Sequence, residues 1–342
     1  MVTLGMTTQG PDAPHVRDPG GARHDRATAL ARPGGRPDAS GMGRGIVLAL
    51  LLAAALTGCG DATSSQGAPG VPAASPTAAL PADGPVRTVT MILDDGDGPV
   101  MCLAGAAWAT PPECDGPAVG AWDWDDHPEA ESAGGARWGS YVVQGTWDGT
   151  TLAATEARPA TEDDWPDDTT DFSTPCDEPA GGWAVVDRAI TTESAQRDAN
   201  RVAEALPDYG IAWGDQSINP AWPGWEDSGE PSLEIEMAMN DPRYTILNVG
   251  VTDDLERAEA ALREVWGGPL CVTRVANTEA RLKQVVEDLR DLPGNLTPQF
   301  GTISNRVDLP VVHDDGSIQA WVDEEYGADV VEVTSALEPV AQ

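Results

Sequence analysis

Tyr141-Val142-Val143-Gln144-Gly145-Thr146-Trp147-Asp148-Gly149-Thr150-Thr151-Leu152 holds two β-prone runs on either side of an Asp-Gly pair. Asp-Gly tolerates the positive φ angles that a tight hairpin needs, so the stretch predicts two antiparallel strands joined at Asp148-Gly149. Working outward, Val89-Thr90-Met91-Ile92-Leu93, Val100-Met101-Cys102-Leu103 and Ala118 to Trp124 carry the same β signal. Five or so short strands within 86–157 fit a small β-barrel, with an OB-like barrel the first expectation.

The 182–340 segment reads differently, because helical and strand periods alternate along it. Thr191 or Thr192 can cap a helix that Pro207 stops. Asp253 with Glu256 can form a capping box ahead of Leu255, Ala258, Leu262 and Val265. Asn277 can cap a helix striped by Leu282, Val285, Val286 and Leu289, and Ser317 to Tyr326 predicts a further short helix. Strands are predicted at Trp183 to Val186, Leu233 to Met237, Tyr244 to Val251, Leu270 to Val275, around Val307-Leu309-Val311, and at Val330 to Val333. The fold class is therefore α+β: an N-terminal β module (86–157), an acidic linker (158–181), and an α+β sandwich of ferredoxin-like units (182–340).

Toward the N-terminus the composition changes twice. Residues 59–85 are rich in Ala, Gly, Ser, Thr and Pro and read as a flexible tether. Before them, Arg44 and the apolar run Ile46 to Leu56 end in Leu56-Thr57-Gly58-Cys59. A run of this length spans only about half of a ~30 Å hydrocarbon core, so it is too short for a transmembrane helix. The order of basic residue, apolar run and small residues resembles a bacterial lipoprotein signal peptide over 42–58. The resemblance implies cleavage before Cys59, diacylation of its sulfur, and anchoring on the extracytoplasmic face of the cell membrane. Residues 1–41 lack apolar periodicity and read as disordered, with Met42 the expected start.

Asp94-Asp95-Gly96-Asp97-Gly98-Pro99-Val100-Met101-Cys102, Pro111-Pro112-Glu113-Cys114-Asp115-Gly116-Pro117 and Trp122-Asp123-Trp124 resemble a recurrent module of actinobacterial lipoproteins that brings no known activity with it.

Charge and cysteine usage narrow the function. The chain has 20 basic and 56 acidic side chains. Six of the former and four of the latter precede Cys59, which leaves −38 on the remainder. Such a surface repels phosphate, so nucleic acid is not an expected partner. With Cys59 assigned to lipid, Cys102, Cys114, Cys176 and Cys271 form an even set suited to an oxidising compartment. Of three possible pairings, Cys102 with Cys114 and Cys176 with Cys271 is favoured, because each clasps a compact segment. No C-x-x-C pair occurs, and no cofactor is expected.

Candidate sites are few. Asp94, Asp95 and Asp97 could offer carboxylates to calcium but lack the spacing and distal Glu of an EF-hand loop, and a hairpin turn explains them equally well. Trp213, Trp222 and Trp225, in a Trp- and Pro-rich loop over 213–229, set aromatic faces beside carboxylates as a glycan or cation site would. His127 and His313 lie near no recognisable nucleophile motif. The expected function is non-enzymatic interaction with an envelope protein or glycan; the alternative is a solute, glycan or cation receptor using the Trp-rich loop.

Overall fold

The computed structural model describes residues 75–166, 170–223, 232–301 and 303–340. Cys59, the expected signal peptide and Trp225 lie outside the described residues. The fold is α+β, built on a closed five-strand mixed barrel.

Strands β1 (Pro85–Asp94), β2 (Val100–Met101), β3 (Ala118–Gly120), β5 (Ala136–Trp147) and β6 (Thr151–Pro159) follow one another round the barrel as β1-β2-β3-β6-β5, and β5 returns to β1. The β1–β5 ladder runs from Pro85↔Thr146 to Asp94↔Arg137. Only the β3–β6 contact is parallel, and β4 (Glu131–Ala133) adds to β5 outside the ring.

The quoted stretch forms the β5–β6 hairpin. Gly149 takes φ +100, and the Asp148 carboxylate accepts from the Thr150 and Thr151 N–H groups, each at 2.8 Å. Alternation then buries Tyr141, Val143 and Trp147 with Ile92, Met101 and Leu152 inside the barrel. Ala121 has φ 58 and ends β3 early, so Trp122 in the following loop and Trp124 at the start of a short 3-10 turn, rather than a strand, pack against the barrel core.

The end of the expected tether is docked. The Ala82 N–H donates to the Trp147 carbonyl (3.0 Å), and the Trp147 indole donates to the Leu80 carbonyl (2.8 Å).

The 182–340 segment contains two three-stranded sheets rather than one sandwich. The first has α1 (Glu193–Glu204), β7 (Tyr209–Asp215), α2 (Leu233–Met239), β8 (Ile246–Val251), α3 (Leu255–Arg263) and β9 (Leu270–Arg274). The second has α4 (Glu279–Leu289), β10 (Gln299–Phe300), β11 (Val307–Val311), α5 (Ser317–Tyr326) and β12 (Val331–Ser335). Each central strand is antiparallel to the strand before it and parallel to the strand after the crossover helix. Every residue of β8 is buried, as a strand covered on both faces requires.

Apart from α2, these two sets share one element order, helix–strand–strand–helix–strand. The likeness extends to sequence: Thr192-Glu193 and Leu206-Pro207 bracket α1 as Thr278-Glu279 and Leu292-Pro293 bracket α4. Asp253-Asp254 follows β8 as Asp314-Asp315 nearly follows β11. The region is an internal repeat. Its copies differ most between the first two strands, where 216–245 separate β7 from β8 but only 301–306 separate β10 from β11.

Several local expectations are corrected. Leu233 to Met237 forms α2 rather than a strand, because Ser232 caps it and the segment pairs with no sheet. Trp183 to Val186 is not a strand, and Val186 is exposed. Asp254, not Asp253, caps α3, and Thr278, not Asn277, caps α4. Asn277 is instead buried in reciprocal hydrogen bonds with Asn305. Finally, β13 (Glu338–Pro339) pairs with β1, so the end of the 182–340 segment joins the barrel's sheet.

Candidate functional site

A cleft of about 1000 Å³ lies on the outer face of the barrel. Its floor follows from strand alternation. Residues of β1 that do not point into the core, among them Val89 and Met91, lie beside Trp138 and Ser140 of β5, with Met91 opposite Ser140. Beneath one end, Leu93, Cys102, Ala136 and Trp138 form a small buried apolar cluster.

One wall is the loop closed by the Cys102–Cys114 disulfide. The Ala107 N–H donates to the Glu113 carbonyl at 2.8 Å, which tightens the loop and carries Trp108 to its tip. Trp108 is fully exposed. An indole left in water forgoes the stabilisation that burial of so large a ring normally supplies.

The opposite wall is the start of the linker, Asp164-Trp165-Pro166. Arg158 grips Asp164 with two hydrogen bonds, at 2.7 and 2.5 Å. The Thr161 N–H and hydroxyl donate to the same carboxylate, and Arg87 approaches at 3.5 Å. The Arg158 guanidinium, helped by Thr161, holds the Asp164 carboxyl well below the usual carboxylate range. This segment is thus fixed to β1 and β6, and half-exposed Trp165 stands at the rim. Glu131 and Glu338 also line the cleft; both are exposed, and neither has an ion-pair partner among the described residues.

The residues singled out from sequence are distributed as follows. Both favoured disulfides are present, Cys102–Cys114 and Cys176–Cys271. The Asp94 carboxylate accepts from the Gly96 N–H (3.0 Å), the Gly98 N–H (3.2 Å) and the Trp124 indole (2.9 Å). Burial pushes its pKa up, but these bonds outweigh that and leave it lowered. Asp95 accepts from the Asp97 N–H, so the acidic turn is held by its own main chain. Among the described residues no group of three or more potential metal ligands comes together.

Trp213 and Trp222 are not brought into one cleft. Trp213 lies on β7 and donates its indole N–H to the Phe172 carbonyl at 3.1 Å. Trp222 lines a separate hollow of about 430 Å³ with Gln216, Glu236, Met239 and Asn240. The His127 ring stacks on Trp122 at 4.2 Å, and His313 is buried with Nδ1 3.2 Å from the Leu337 carbonyl.

Sequence reasoning missed Trp108, Trp138, Trp165, Glu131 and Glu338. The one local signal was an unpaired tryptophan inside a short cysteine-bounded loop. No protein-family model, no curated protein and no solved structure matches the chain.

Proposed function

We propose that this is an exported, lipid-anchored cell-envelope protein that works by binding a partner through the barrel cleft, not by catalysis. The observation that carries this reading is Trp108, fully exposed at the cleft, with half-exposed Trp165 of the linker lining the same cleft. Exposed aromatic anchors beside a preformed hollow suit recognition, because they lose little conformational freedom on binding. The Leu56-Thr57-Gly58-Cys59 signal and the two disulfides support an extracytoplasmic location. We read the barrel as OB-like: with the outlying β4 set aside, the strand order is 1-2-3-5-4-1, with the third and fifth strands parallel.

Two measurements test the reading. Mass spectrometry of the membrane-bound protein should find an acylated N-terminal Cys59, and Cys59→Ala should release the chain or leave it uncleaved. Crosslinking in intact membranes should recover a partner with the native chain and lose it with Trp108→Ala. The same crosslinked species from both would remove the cleft from the account.

A second reading, a receptor for a sugar or small cation, is favoured by the insertion at 216–245. The other repeat dispenses with it, and insertions into repeats often build binding surfaces. It supplies Trp222 to the smaller hollow and leaves Leu233 and Met237 of α2 exposed. A thermal-shift screen of cell-wall glycans, amines and divalent metals decides it, since a ligand of the native state raises the melting temperature by mass action.

A further inference from the structure

The cleft runs along a strand edge that nothing in the fold covers. Two short strands share one side of β1: β13 pairs at Val86 and Arg87, and β2 pairs at Ile92 and Leu93. Between them, Thr88 to Met91 have no strand neighbour on that side, a gap of about 13 Å at ~3.3 Å per residue. All four residues line the cleft.

The direction of the main-chain groups follows from the bonds at either end. The Val340 N–H donates to the Pro85 carbonyl at 3.0 Å, and the Cys102 N–H donates to the Met91 carbonyl at 2.9 Å. Odd-numbered residues of β1 therefore turn their N–H and C=O groups to this side, while even-numbered ones serve the β5 ladder. Glu338 satisfies Arg87 through their pairing. That leaves the Val89 N–H, the Val89 C=O and the Met91 N–H aimed at the cleft, without a hydrogen-bond partner among the described residues. An edge of this kind is a template for another extended chain.

The surroundings specify what that chain carries. Trp108 at the loop tip offers an aromatic face to an apolar side chain. Glu131 and Glu338 present unpaired carboxylates, whereas the two arginines near the cleft, Arg87 and Arg158, are engaged by Asp164. The whole chain is at −36. Acidic peptides are repelled, and basic ones are attracted and steered.

We propose that the cleft takes an extended peptide with Lys or Arg flanking an apolar residue, added as a short strand to β1 and hydrogen-bonded to Val89 and Met91. This deepens the binding role proposed above and rests on it.

The experiment pans a random heptapeptide library against the full chain. The enriched sequences should combine basic and apolar residues, and a synthetic peptide made from them should slow hydrogen exchange at the Val89 and Met91 amides. N-methylating the peptide's main chain at alternate positions should weaken binding roughly tenfold, as loss of a net hydrogen bond implies. Glu131→Gln with Glu338→Gln should weaken binding and flatten its dependence on salt. Val89→Pro should abolish binding, since it removes an N–H that β5 does not use; if that variant fails to fold, the N-methylated peptide carries the same test.

Peptides that need Trp108 but tolerate N-methylation and protect neither amide would overturn strand addition while leaving the cleft as a binding surface. Failure to enrich any peptide overturns strand addition too, and the Trp108→Ala crosslinking then decides the cleft separately. A Trp108-dependent dimer in sedimentation would give the edge to a second copy of the chain and likewise overturn the proposal.

Discussion

Removing the Cys176–Cys271 bond by Cys176→Ala with Cys271→Ala should cost more stability than removing Cys102–Cys114 in the same way. The bonds close sequence separations of 95 and 12 residues. If a crosslink acts by restricting the unfolded chain, the long loop is worth about 4.7 kcal/mol and the short one about 3 kcal/mol. Cys271 and Cys102 are both buried, at 1% and 5% exposure, so truncation adds a packing loss to each variant and the loop lengths set the difference. For a body of this size, a loss of 4.7 kcal/mol lowers the melting temperature by roughly 10–20 °C. The assay is urea unfolding of the full chain followed by tryptophan fluorescence, with both double variants beside the native protein. The slope with urea should rise as well, because the unfolded state without its long crosslink exposes more surface. If opening the short loop costs as much as opening the long one, the entropic reasoning fails and the stabilisation lies in native packing.

Other consequences can be checked individually. Leu262→Ala, fully buried between α3 and the first sheet, should lose about 2–5 kcal/mol in the same unfolding assay. Asp94→Ala should destabilise by about 1–3 kcal/mol because it strips the acceptor from the Trp124 indole and two turn amides, and calcium should shift the melting temperature of the native chain little. Asp164 has a depressed folded pKa, so its contribution is present above the ordinary carboxylate value of about 3.9 and lost as pH falls through the lower folded value. Trp165 fluorescence followed against pH should accordingly change only well below pH 4, and Asp164→Asn should release that wall of the cleft at neutral pH.

Legibility in the sequence tracked the locality of the signal. The β5–β6 hairpin was readable because Asp148-Gly149 and its flanking alternation lie within a dozen residues. Thr192, Pro207 and the stripe Leu282, Val285 and Leu289 gave away α1 and α4 for the same reason. Leu233-Glu234-Ile235-Glu236-Met237 misled because alternation cannot tell a strand from a short exposed helix; only the Ser232 cap distinguishes them. Strand β7 was missed since Gly210 and Gly214 interrupt its apolar run. Gly210 is required there, as a Cβ would lie 2.7 Å from the Asn277 carbonyl. The cleft was not readable at all. Its walls come from segments near residues 88, 108, 138, 165 and 335, and nothing local marks five such stretches as neighbours.

The pairing of β13 with β1 has a bearing on how the molecule is made. Val86 meets Pro339, and Val312 and Leu337 sit among the side chains that fill the barrel. Synthesis delivers the N-terminal strands first, so the five barrel strands emerge with part of their interior filling still unmade. Until Val312 and Leu337 arrive, the five strands can form their ring but not fill it. Removing 337–340 would therefore be felt about 250 residues away in sequence, at β1 and inside the barrel, through the loss of Leu337 and of the Glu338–Pro339 pairing.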